Sequence, residues 1–124
     1  MDSDLRNRLE ARKDKWTIHL VTIGRRSRLP RPVTVWFIYL DGRLFVRTST
    51  KTNWGKNLTA NPSVEAEVSG LRFKGEAERV SDPMLKDMLQ ESYRRKYGFF
   101  DLLSNLFKIR GNPLFFELKV KEEI

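Results

Sequence analysis

Two neighbouring segments in the middle of the chain alternate apolar and charged residues. From Ser63 to Ser69, Val64, Ala66 and Val68 fall on one side, and Glu65 and Glu67 on the other. Gly70 interrupts. From Leu71 to Val80 the alternation resumes, with Leu71, Phe73, Gly75 and Ala77 opposed to Arg72, Lys74, Glu76 and Glu78. A period of two belongs to a strand with one wet and one dry face. The pair therefore predicts two strands joined at Gly70, each turning one face to a core.

Other segments extend this sheet. Trp16 to Ile23 is rich in β-branched and aromatic residues and reads as a strand. Val33 to Leu40 is apolar on both faces, so both should be covered. Asp41-Gly42 is the pair favoured in a tight I′ hairpin turn, and Arg43 to Ser49 returns as the partner strand with Leu44, Val46 and Thr48 on one face. Leu114 to Val120 is the last strand.

Helices are expected around this sheet. Ser3 to Lys15 carries Leu5 and Leu9 one turn apart, a narrow stripe that predicts a surface helix. Asn53 can cap a short helix that ends at Pro62. Ser81-Asp82-Pro83 is a helix start, followed by Leu85, Met88, Leu89 and Tyr93 on one face and a basic last turn, Arg94-Arg95-Lys96, before Gly98. Phe99 to Ile109 reads as a second short helix or an apolar loop. Gly111-Asn112-Pro113 breaks the chain.

The sum is a mainly β chain with peripheral helices: six mostly sequential antiparallel strands, closed or nearly closed into a barrel. A length of 124 residues fits one domain over 1–124. Within it, 1–15 is the N-terminal helix, 16–80 the barrel strands, 82–110 the helical segment and 113–121 the last strand.

Composition removes several chemistries. There is no cysteine, which excludes disulfides, thiolate zinc, iron–sulfur clusters and a Cys nucleophile. One histidine, His19, lies in a strand without a metal-ligand partner at useful spacing. No GxGxxG and no Walker loop occurs. The acidic start, lacking an apolar run behind it, and uncharged runs far shorter than a membrane span lead us to expect a cytoplasmic protein with no membrane span. With little side-chain chemistry available, an enzyme built this way needs a cofactor.

A net charge of +8 favours anionic partners. Three basic or hydroxyl-rich segments are candidates for one anion site: Arg25-Arg26-Ser27 with Arg31; Thr48-Ser49-Thr50-Lys51-Thr52; and the helix start with Trp54, Lys56 and Asn57. Hydroxyls, cations and free helix N–H groups together suit a phosphate. The alternative is an ordinary polar loop whose side chains bond their own backbone. Trp54 is equally suited to core and to cofactor, and Phe99-Phe100 with Leu102, Leu103, Leu106 and Phe107 to core, dimer contact or lid.

Four passages resemble the split-barrel flavin and deazaflavin oxidoreductases, the superfamily of pyridoxamine 5′-phosphate oxidase. Thr22-Ile23-Gly24-Arg25-Arg26-Ser27 with Pro30-Arg31-Pro32 resembles T-x-G-R-K-S-G-x-P-R of the deazaflavin-dependent nitroreductase branch. Val35-Trp36-Phe37 followed by Asp41-Gly42-Arg43-Leu44-Phe45 is similar to the superfamily hairpin. Trp54-Gly55-Lys56-Asn57-Leu58 with Ala60-Asn61-Pro62 resembles W-x-x-N-L-x-A-N-P, and Gly75-Glu76-Ala77 with Asp82-Pro83 a further shared passage. Arg28 stands where that loop usually has glycine. The positions Thr52, Asn53 and Trp54 lack the serine-basic-lysine signature of the flavin oxidases.

The resemblance implies a six-stranded split barrel, a homodimer with cofactor at the interface, and hydride transfer to an unknown small-molecule substrate. The implied cofactor is the deazaflavin F420, with FMN as the alternative. By position it would be lined by Arg25, Arg26, Ser27 and Arg31, by Thr34, Val35 and Trp36, by Thr48 to Thr52, and by Trp54, Lys56 and Asn57. A non-enzymatic cofactor or heme binder is a second reading. A basic nucleic-acid-binding barrel is a third and the weakest, since no RNA-binding motif is present.

Overall fold

The computed structural model describes residues 2–106 and 112–124. The elements run α1 (Ser3–Glu10), β1 (Ile18–Ile23), β2 (Pro30–Val35), β3 (Phe37–Leu40), β4 (Arg43–Ser49), α2 (Asn53–Ala60), β5 (Ser63–Val68), β6 (Leu71–Arg79), α3 (Pro83–Tyr97), α4 (Phe99–Leu106) and β7 (Pro113–Glu123). The strands form one antiparallel sheet in the order β2-β1-β5-β6-β7-β4-β3. Its two outermost strands, β2 and β3, are consecutive in the chain and joined at Trp36. The sheet therefore curls until its edges meet through one residue, which makes the split barrel.

This closure corrects the expected strand Val33 to Leu40. The apolar run is two strands, β2 pairing with β1 and β3 with β4, so the described strands number seven. Pro30, Arg31 and Pro32 belong to β2, so the polar connection after β1 is only Gly24 to Leu29. Proline is tolerated there because β2 is an edge strand. The two prolines are two residues apart and donate nothing to the ladder. By alternation, the N–H and C=O of Thr34 face the same unpaired edge.

The alternation of β5 and β6 is realised. Val64, Ala66, Val68, Leu71 and Phe73 are buried in the main core with Ile18, Leu20, Leu44, Val46 and Leu118. Leu5 and Leu9 join that core at 1% and 2% exposure, so the narrow stripe of α1 is a plug and not a surface feature. Each buried leucine contributes roughly 2 kcal/mol. The I′ turn at Asp41-Gly42 forms, with φ of 52° and 75°.

A second core lies outside the barrel. Ile38, Phe45 and Phe115 face outward from β3, β4 and β7 and meet Leu89, Tyr93 and Tyr97 of α3. That covering explains why the segment around β3 is apolar on both faces. α3 begins as expected at the Asp82 cap with Pro83 and ends at Gly98, but its buried stripe is Leu89, Tyr93 and Tyr97, while Met88 is exposed. The Tyr97 hydroxyl accepts from Phe37 N (3.0 Å) and can donate to Trp16 O (2.8 Å). Part of the expected helical segment, 107–110, and Gly111 lie outside the described residues.

Candidate functional site

α2 is the organising element. Its cap is Thr52, not Asn53: the Thr52 hydroxyl accepts from Gly55 N at 3.2 Å and can donate to Ser49 O at 3.3 Å. It also meets the Thr48 hydroxyl. The helix sits close on the end of β4 because Gly55 has no side chain. A Cβ there would lie 2.9 Å from Ser49 O and 2.9 Å from Thr48 Cγ2.

The opposite face of α2 holds the β1–β2 turn. Asn57 is buried, and its Oδ1 accepts from both Arg25 N (3.2 Å) and the Arg25 guanidinium (3.0 Å). The turn closes on itself through Gly24 N to Leu29 O (2.9 Å) and Arg28 N to Gly24 O (2.9 Å). Arg28 sits at φ 62°, the left-handed region, which gives the physical reason a glycine suits that position. Gly24 lets the turn collapse: a Cβ there would lie 2.4 Å from Ser27 Oγ and 3.3 Å from Arg31 Nε.

A cleft of about 480 Å³ lies between turn and helix, lined by Arg25, Arg26, Ser27, Arg31, Trp54 and Asn57, with Gly24, Pro32, Val33 and Asn53. No carboxylate lines it. None of the ion pairs of the described residues involves Arg25, Arg26, Arg28 or Arg31. Three uncompensated guanidiniums around one concavity are the chemistry of an anion site. A second cleft of about 410 Å³ opens beside α2, lined by Arg25, Ser49, Thr50, Gly55, Lys56, Thr59, Ala60, Arg79 and Leu114. Arg25 borders both.

The expected site residues thus fall into groups. Arg25, Arg26, Ser27, Arg31, Trp54 and Asn57 meet in the first cleft, and Ser49, Thr50 and Lys56 in the second. Thr48 and Thr52 bond within the turn that seats the helix. Lys51 is exposed and lines neither cleft. Thr34, Val35 and Trp36 line neither. Thr34 is exposed beside His19 (3.1 Å), Val35 packs on the main core, and Trp36 stacks on Tyr97 at 4.2 Å. Trp54 lines the cleft and also packs against the core.

Sequence reasoning missed Arg79 and Thr59, which line the second cleft. It also missed one buried and one half-buried cation. Arg47 meets Asp101 at 2.5 Å and Gln90 at 2.8 Å, and its guanidinium lies 4.1 Å over the Tyr93 ring. Lys96 donates to Lys13 O and Phe37 O, both at 3.0 Å, and lies 3.7 Å over the Phe37 ring. Burial pushes the Lys96 ammonium down to about 8. Burial alone would raise Glu117, but Arg43 and then Lys119 hold it below the ordinary carboxylate range. Among the described residues no His, Cys, Asp or Glu cluster could hold a metal.

Fold and cleft together define a split barrel with a basic concavity beside its closing strand. The chain belongs to the pyridoxamine 5′-phosphate oxidase family, whose family model matches residues 9–123. No curated protein matches by sequence. Solved structures share the fold at low identity. A conserved hypothetical protein of Mycobacterium tuberculosis is 18% identical with a TM-score of 0.76, the match covering 99% of this chain and 82% of that one. An F420 reductase is 22% identical with a TM-score of 0.70 (93% and 94% covered). A heme storage protein of Vibrio cholerae is 20% identical with a TM-score of 0.68 (96% and 87% covered).

Proposed function

We propose that the protein is an oxidoreductase that binds the deazaflavin F420, with its phosphate in the Arg25–Arg31 cleft. The carrying observation is that three arginines and the start of α2 converge on one concavity without a carboxylate. The residues fit such a group: Gly24 keeps the turn tight, Asn57 pins Arg25, and Ser27 and Arg31 reach the same space. FMN is the alternative cofactor, since the same cleft would take its phosphate.

The bound cofactor would supply hydride chemistry. The chain's own work is binding and orientation. Arg25, Arg26 and Arg31 hold the anion. Trp54 and Val33 give the cleft an apolar wall. The unpaired edge of β2 leaves the Thr34 N–H and C=O as groups that would bond a ring system in this reading. No side-chain acid or base is required, because positioning and water exclusion supply much of the rate. In this reading a second copy of the chain completes the cofactor site, and a small molecule is the substrate.

The test is an equilibrium titration of the purified protein with F420, FMN and heme, followed by fluorescence and absorbance. Saturable F420 binding that supports substrate reduction is expected. Preference for FMN moves the protein to the flavin reading, and heme binding without turnover makes it a binder and not an enzyme.

A further inference from the structure

The second cleft beside α2 is distinct from the one assigned to the cofactor. Asn53, Trp54 and Asn57 border the first, and Gly55, Lys56, Thr59 and Ala60 the second. At 3.6 residues per turn the centres of these two sets lie more than about 100° apart around the helix. Among the described residues, Arg25 alone lines both clefts. α2 is therefore a partition, with a separate concavity on each flank.

The far wall of the second cleft is the end of β6. Arg79 is the last residue of that strand and follows Leu71, Phe73 and Ala77 on its core side. Its cross-strand neighbour is Phe116 of the main core. An apolar residue at this register would extend the core, whereas the arginine brings a guanidinium to the end of the barrel. The nearby carboxylates of β6 take the other face. Glu76 and Glu78 lie 3.9 Å from Lys121 and 4.0 Å from Lys119.

Three cations, Arg25, Lys56 and Arg79, thus line a cleft of about 410 Å³ that no carboxylate lines. None of the ion pairs of the described residues includes any of the three. Residues 103–111 contain no Asp or Glu, so they cannot supply a counter-charge. A buried hydroxyl adds a donor. Ser49, which also lines the cleft, is 3% exposed. Its Oγ accepts from Lys51 N at 3.3 Å, and its own proton meets no acceptor among the described residues. Buried hydroxyls ordinarily find one. Three unpaired cations and a spare donor call for an acceptor-only ligand, and their charge favours a dianion over a monoanion.

We propose that the second cleft is an anion site in its own right, which takes the phosphoryl group of a small molecule other than the cofactor. The site stands whether or not F420 occupies the first cleft. The experiment is a titration of isotope-labelled protein with inorganic phosphate, at an ionic strength held constant by chloride. The amide shifts of Thr50, Thr59, Ala60 and Arg79 are read separately from those of Arg26, Ser27 and Asn53. Saturating shifts are expected in the first group, with phosphate binding there at least about ten-fold tighter than acetate. Lys56 and Arg79 are exposed, so Lys56→Gln with Arg79→Gln should fold as wild type. The pair should weaken phosphate in the second cleft about ten-fold or more and leave the midpoint at Arg26 and Ser27 unchanged. Shifts at Thr59 and Arg79 that do not saturate, that acetate reproduces at equal concentration, or that keep the wild-type midpoint in the double variant overturn the proposal. So does F420 that moves these same amides and abolishes phosphate binding there, because one ligand then spans both clefts. Phosphate shifts confined to Arg26, Ser27 and Asn53 remove the second site and leave the cofactor cleft standing.

Discussion

Replacing Asn57 by aspartate separates what this residue does for the fold from what it does for the cleft. The Oδ1 atom takes two bonds from Arg25, at 3.2 Å from the backbone and 3.0 Å from the guanidinium. Aspartate has the same shape, and both bonds become charge-assisted. The cost of burying the carboxylate is offset by that contact, so stability should stay within about 1 kcal/mol of wild type. Binding should not survive as well. An anion on the far side of the Arg25 guanidinium would sit about 6 Å from the new charge, and at an effective dielectric of about 40 each pair of unit charges costs about 1.4 kcal/mol. A phosphate of charge −1 to −2 therefore loses about 1.4–2.8 kcal/mol, or about 10- to 100-fold in affinity. Asn57→Ala is the contrast. It leaves the Arg25 N–H unpartnered by that residue and should cost about 1–3 kcal/mol of stability. Thermal melts and F420 titration at low salt read the two effects separately. An Asn57→Asp protein that melts like wild type and binds F420 with wild-type affinity would refute the reasoning, because Arg25 would then not be holding the anion.

Other outcomes follow from the same geometry. Asp101→Asn removes the ionic partner of Arg47, whose side chain is 9% exposed. It should cost about 3 kcal/mol in chemical denaturation, whereas Asp101→Asn with Arg47→Met should recover part of that loss. Arg28→Gly relieves a left-handed backbone at φ 62°. It should stabilise by about 0.5 kcal/mol, the strain relieved exceeding the added chain entropy. Lys96 has a folded pKa near 8, below its usual value near 10.5. The unfolded chain therefore binds more protons between those values, and stability should rise with pH from about 8 towards 10. After discounting for its partial exposure the rise is about 1 kcal/mol, and the difference between wild type and Lys96→Met isolates it from the tyrosines.

What the sequence disclosed depended on whether the signal was local. The β5–β6 alternation and the Asp82-Pro83 start are local, and both stand as read. The Val33–Leu40 run misled because periodicity records burial and not which neighbour provides it. The chain leaves one edge of the sheet at Trp36 and joins the other, and both halves remain apolar. Leu5 and Leu9 make too narrow a stripe to announce a plug, yet the open barrel end takes both. Thr52 and Asn53 are equally good caps by type, and the contact between Gly55 and β4 decides for Thr52. In the cleft, the arginine turn and α2 were legible as basic segments, but the Asn57–Arg25 bond that joins them spans 32 residues. Arg47 and Asp101 are 54 apart, and nothing along the chain pairs them.

In the proposed function, the basic cleft between the β1–β2 turn and α2 receives the anionic end of the cofactor. Amide chemical shifts of labelled protein, recorded as F420 is added, locate that contact residue by residue. The largest changes are expected at Gly24, Arg25, Arg26 and Ser27 and at Asn53 to Asn57, saturating together. Shifts that spare both segments while others move would contradict it.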